Sequence, residues 1–182
     1  MQIDEMRQDS SRKQKKGLHF ILASVIIWAI VFGIHSTSLH ILSKNLWTFC
    51  ATTLLVPLAF FISKWIRVDF QNKDNPLTAL GLLFSFNQIL YLLIAMWIYP
   101  TVPDKLVMVI AIIFGAHLLP YGWLYQSKTY YAFSVLIPVG ALLIGLFQPP
   151  QVLALTMIFV EIAFCLLLVM ELKSQSKLLS YQ

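Results

Sequence analysis

Leu18–Ile34 reads LHFILASVIIWAIVFGI, 17 residues without a lysine, arginine, aspartate or glutamate. The run does not alternate apolar and polar residues, as a strand of a membrane barrel does. As a helix it is long enough to cross the hydrocarbon of a bilayer. The same pattern recurs at Leu46–Ile62, Leu77–Ile98, Leu106–Tyr125, Tyr130–Phe147 and Val152–Met170. The expected fold class is therefore all-α, an integral membrane bundle of six transmembrane helices. Residues 1–17 read as a basic N-terminal tail, 18–172 as the six-span domain and 173–182 as a C-terminal tail.

Composition closes off the alternatives. The 182 residues are 59% hydrophobic and 12% charged, with a mean hydropathy of +0.77. A soluble domain carries about 25% charged residues, so this chain cannot cover a water-facing surface. With 2 cysteines it is no disulfide scaffold. Cys50 and Cys165 differ in depth by roughly 12 Å along their helices, beyond disulfide reach, and read as packing residues. The first span exceeds the apolar stretch of a signal peptide, about 7–15 residues, so it is expected to stay in the membrane.

Span ends carry their own signals. Asn75-Pro76 reads as an N-cap followed by a proline at the first helical position, where a missing N–H costs nothing. Pro103-Asp104 can start the fourth helix in the same way. Gln148-Pro149-Pro150-Gln151 is the turn between helices five and six. Trp47, Trp97 and Tyr99 fall at one set of span ends, and Trp65, Trp123, Tyr125, Tyr130 and Tyr131 at the other, as interface anchors do. Trp28 sits inside its span.

Orientation follows from the positive-inside rule. Arg7, Arg12, Lys13, Lys15, Lys16, Lys64, Arg67, Lys73, Lys128, Lys173 and Lys177 fall on one side, and only Lys44 and Lys105 on the other. Both termini are expected in the cytoplasm. Arg12, Lys13, Lys15 and Lys16 are candidate contacts for anionic inner-leaflet headgroups, and serve equally as topology determinants.

No metalloprotease, phosphate-loop, nucleophile-elbow or Cys/His metal pattern occurs. An enzyme is not expected, nor a cofactor, a metal or a nucleic-acid partner. The chemistry that remains lies in the polar residues inside the spans: Asn87 and Gln88 in the third, His117 in the fourth and Glu161 in the sixth. All fall near mid-membrane. Such groups are costly in lipid and mark sites by default. Glu161 must pair, protonate or face water, with His117 or Asn87 as its expected partner. His117 shares a helix face with Tyr121, and Asn87 with Tyr91. The alternative for each is an interhelical hydrogen bond that fixes packing. Pro57, Pro120 and Pro138 are candidate helix kinks. Pro57 and Pro138 invite a three-plus-three inverted repeat, which the other residues do not follow, since Glu161 would align with Leu80. Ala111/Gly115 and Ala141/Gly145 are small-residue pairs expected to pack helices within the chain.

Lys15-Lys16-Gly17-Leu18-His19-Phe20-Ile21-Leu22-Ala23-Ser24, Asp69-Phe70-Gln71-Asn72-Lys73 and Phe114-Gly115-Ala116-His117-Leu118-Leu119-Pro120-Tyr121 resemble an uncharacterised family of small bacterial multi-span membrane proteins. The likeness runs from about Lys13 to Phe147. It implies a bacterial plasma membrane and transfers no substrate or catalytic residue. The expected function is a small transporter or solute-binding membrane protein, acting on a small polar solute or a proton. The rival is a regulator or assembly subunit acting through partner proteins.

Overall fold

The computed structural model describes residues 2–69 and 72–179. Phe70 and Gln71 of the resemblance, and the last three residues of the C-terminal tail, lie outside the described residues. Helix α1 spans Ile3–Lys13, α2 Leu18–His35, α3 Ile41–Thr53, α4 Leu55–Trp65, α5 Leu77–Thr101, α6 Leu106–Leu124, α7 Lys128–Phe147 and α8 Pro150–Leu179. Short 3-10 turns at Lys15–Gly17 and Pro103–Lys105 precede α2 and α6. No strand occurs among the described residues. Among the described residues, six segments are long and apolar enough to cross a membrane, α3 and α4 together forming the second.

Helices α2, α6, α7 and α8 form the core of the bundle, with α3–α4 against α2 and α5 against α6. Small residues set the closest approach. A Cβ on Gly115 would lie 2.5 Å from Pro138 Cδ, and one on Gly145 the same distance from Met108 Cγ. The small-residue pairs therefore pack α6 on α7 within one chain, with Ala111 and Ala141 buried in the same contact region.

The prolines behave differently from one another. Helix two divides at Leu54, three residues before Pro57, because the proline ring crowds the carbonyl four residues back. Helices α6 and α7 continue through Pro120 and Pro138. The two halves also differ in packing. The third span, α5, buries only Ala95, whereas the sixth, α8, is central to the core. The arrangement offers no counterpart to an inverted repeat.

The N-terminal segment differs from the expected tail. Helix α1 lies against the bundle, and Asp9 is its fastening point. The Asp9 carboxylate accepts from Asn72 Nδ2 (3.0 Å) and Asn75 Nδ2 (2.9 Å), and pairs with Lys13 (3.1 Å). Burial alone would push its pKa up; the two amides and the lysine outweigh it and hold the pKa below the usual aspartate value. Asn75 Oδ1 also accepts from Leu77 N at 3.0 Å at the start of α5, although Pro76 is the N-cap and not, as the Asn-Pro signal predicts, the first helical residue.

Four lysines close four helix ends. Lys15 Nζ donates to the Ile66 carbonyl after α4, and Lys16 Nζ to the Tyr125 carbonyl after α6 (3.3 Å). Lys44 reaches the His35 carbonyl ending α2 (3.3 Å), and Lys105 the Gly145 carbonyl near the end of α7 (2.7 Å). A helix C-terminus presents unpaired carbonyls and partial negative charge, which an ammonium satisfies. Lys44 and Lys105, the two exceptions in the charge pattern, stand where α2 and α7 end.

Candidate functional site

A cavity of about 390 Å³ opens between α2, α4, α5 and α6. Its walls are mainly apolar, with Ile21, Ile27 and Val31 from α2, Leu55 and Val56 from α4, Ile89 and Leu92 from α5, and Ile110 and Ile113 from α6. Helices α4 and α5 both border it yet barely touch each other. Val56 and Ile89, one on each, line the cavity and are still 59% and 56% exposed. They are the exposed residues among those that α4 and α5 contribute to the wall.

The end nearest the termini is closed. Gly17, with φ +69°, brings the chain against two rings: a Cβ there would lie 3.0 Å from the Tyr130 hydroxyl oxygen and 3.1 Å from Tyr125 Cε2. Lys15 and Lys16 share this left-handed turn at φ 46° and 50°, a conformation that costs energy in residues with a Cβ. Hydrogen bonds hold it in place. The Tyr130 hydroxyl donates to the Lys16 carbonyl (2.8 Å), and the Tyr125 hydroxyl to Gln14 Oε1 (2.9 Å).

The polar part of the wall lies on α5 and α6. Tyr121 donates to the Gly81 carbonyl (2.9 Å), and its oxygen pairs with Ser85 Oγ at 2.7 Å. Tyr121 and His117 rings follow one another along α6, with centroids 5.7 Å apart. His117 Nδ1 bonds to the Phe114 carbonyl. A carbonyl only accepts, so Nδ1 carries the hydrogen, and in the neutral ring Nε2 is left as an acceptor. Gln88 lines the same cavity one turn from Ser85.

The structure does not bring the six expected polar residues into one site. His117, Gln88 and Tyr121 line the cavity. Asn87 and Tyr91 bond to each other (2.9 Å) on the outward face of α5, where Tyr91 is 42% exposed. Residues 87 and 88 point to different sides of a helix, and Gln88 took the inward one. Glu161 is 0% exposed and outside the cavity wall. Neither of its carboxyl oxygens has a hydrogen-bond partner among the described residues, so the expected pairing with His117 or Asn87 does not occur. The Trp28 indole is turned toward it without reaching hydrogen-bond geometry. Trp28 also lines the cavity, at 4% exposure.

The basic cluster is divided as well. Arg12 is exposed, and Lys13 is paired with Asp9. Lys15 and Lys16 turn inward to carbonyls, and Lys16 also pairs with Glu171 at 3.1 Å. Arg12 is thus the most exposed of the four. The Glu171 carboxylate further accepts from Ser127 Oγ (2.6 Å), Thr129 Oγ1 (2.6 Å) and Thr129 N (2.9 Å). Sequence reasoning missed this cluster because α8 runs past the expected span end at Met170. It also missed Ser85. The signal for Ser85 was its place one turn before Gln88 on the same face.

No curated protein and no solved structure matches the chain. A family profile matches residues 3–171. On that match, from α1 to the carboxylate that ties α8 to α7, the chain belongs to DUF7010, a family of unknown function.

Proposed function

We propose that the protein is a binding protein, without catalytic activity, that takes a small lipophilic molecule from the bilayer into the cavity between α2, α4, α5 and α6. The single observation that carries this reading is the cavity itself: about 390 Å³, apolar, and bordered by the exposed Val56 and Ile89, which serve in this reading as the lips of a sideways opening between α4 and α5. Ligand sites span about 300–1,000 Å³ and are mostly apolar with a few placed polar groups. A small ion or polar solute is less well served, because the wall carries no Lys, Arg, Asp or Glu. The expected proton role loses its support in Glu161, which does not border the cavity. Within this proposal the protein sits in a bacterial plasma membrane with both termini in the cytoplasm, in line with the lysine and arginine distribution.

Trp28 makes the test direct. In a variant whose other four tryptophans are phenylalanine, bilayer-dissolved 1-bromododecane should quench Trp28 fluorescence in a saturable way. Val56→Phe with Ile89→Phe, both at the lips, should suppress that saturation. Quenching that rises linearly with probe, unchanged by closing the lips, would defeat the reading.

A second reading, a subunit acting through partner proteins, draws on α5. Its hydrogen-bonded Asn87–Tyr91 pair faces outward at mid-span, where lipid offers no partner.

A further inference from the structure

The wall of the cavity also indicates the head of the molecule it holds; this inference rests on the lipophile-binding reading. Its hydroxyls are already engaged. Ser24, Thr52 and Thr53 bond back to carbonyls of their own helices. Ser85 and Tyr121 bond each other, and the two tyrosines at the closed end reach Gln14 and Lys16. Besides the Trp28 indole, which is turned toward Glu161, two polar groups on the wall have no such bond among the described residues: the Gln88 amide and His117 Nε2. They stand at one level. Helices α5 and α6 run antiparallel and are pinned together by Ser85 and Tyr121. One turn farther from the termini, α5 presents Gln88 and α6 presents His117. Both line the cavity.

Their depth and chemistry restrict the ligand. Gln88 and His117 each lie 11 residues from the start of their helices, about 16 Å along the axis, which is the middle of a core about 30 Å thick. The headgroup of a bilayer phospholipid stays at the interface, far from this level. A charged head would be unpaired there, since no ionisable group except His117 and the tyrosines lines the cavity. Nε2 offers only a lone pair, and the Gln88 amide supplies N–H donors. A hydroxyl satisfies both at once. We propose that the cavity binds a neutral, single-headed lipophile whose hydroxyl donates to His117 Nε2 and accepts from the Gln88 amide, with its apolar body against Ile110, Ile113 and Leu92.

The test compares 1-dodecanol with dodecyl methyl ether, which has the same chain and no donor, by native mass spectrometry of the purified full-length protein. The alcohol should bind about tenfold more tightly, the order of one to two net hydrogen bonds. His117→Phe should reduce alcohol binding to the level of the ether and leave the ether unchanged. Gln88→Leu, on the less buried helix, should act in the same direction. If alcohol and ether bind wild-type protein equally, the hydroxyl recognition is wrong while the lipophile reading stands. If neither binds, or if Val56→Phe with Ile89→Phe leaves both bound, the lipophile reading itself fails. If the purified protein carries a phospholipid that 1-dodecanol does not displace, the occupant is a bilayer chain and the proposal is overturned.

Discussion

Helix α8 carries two glutamates ten residues apart that meet opposite fates. Glu171, at the end of the bundle that holds the termini, accepts from Lys16, Ser127, the Thr129 hydroxyl and the Thr129 amide. Glu161, at mid-span, is fully enclosed and has no hydrogen-bond partner among the described residues. The difference is one of available donors. Near a span end, helix N-termini and chain reversals expose N–H groups, and α7 begins beside Glu171 with Ser127 as its cap. At mid-span the backbone donors are all used within helices. Glu161 lies near Cys165, which has little to offer it, and the Trp28 indole is turned toward it without reaching hydrogen-bond geometry. One carboxylate therefore fastens the bundle, and the other is an energetic burden that the fold carries.

The contrast can be broken most sharply at Glu171. Glu171→Leu leaves the Lys16 ammonium buried beside two carbonyls with no counter-charge. Thermal or denaturant unfolding in detergent should show a loss of about 3 kcal/mol, as for other disrupted buried pairs. Adding Lys16→Met should recover most of it. A loss no larger than that of an exposed salt bridge would mean that Glu171 is held mainly by its hydroxyl donors and that the pair matters little.

At Glu161 the expected sign is reversed. Glu161→Leu removes oxygens that have no partner, so stability should rise by about 1–3 kcal/mol. Destabilisation in the same unfolding assay would show that the carboxyl makes a stabilising contact, and the contrast between the two glutamates would collapse.

The smallest effect belongs to Asp9, a half-buried carboxylate that, as Glu171 does, accepts from several donors. Its pKa in the folded chain is lowered, burial being outweighed by hydrogen bonds from Asn72, Asn75 and Lys13. A depressed carboxylate contributes stability above its unfolded pKa and loses it as pH falls through the folded value. The α1 attachment should hold at neutral pH and weaken as pH drops below the usual aspartate range. A spin label on exposed Arg12→Cys, with the native cysteines replaced, should become mobile over that range. Asp9→Asn should be mobile already at pH 7 and show no such step.

Much of the architecture was legible in the residues. Apolar runs of transmembrane length recovered six spans, and Asn75-Pro76 marked the start of α5 to within one residue. The site was legible only in part. His117, Gln88 and Tyr121 stood out as polar groups in apolar runs, and the structure places all three on the cavity wall. Asn87, Tyr91 and Glu161 stood out for the same reason and lie elsewhere. Lys15 and Lys16 looked the same as Arg12 and Lys13 in the sequence, yet two of the four turn to helix carbonyls.

The sequence by itself determined that the chain is helical, how many times it is long and apolar enough to cross a membrane, and which residues are too polar to be indifferent to their surroundings. Those properties depend on composition and run length. Which way each face points was decided only by the tertiary structure. In a water-soluble helix, polar and apolar faces separate and periodicity reveals the inside. Here lipid and protein interior are both apolar, so the runs carry no such stripe. Small-residue contacts such as Gly115 on Pro138, the helix ends waiting for lysines, and the gap left between α4 and α5 assign the faces instead.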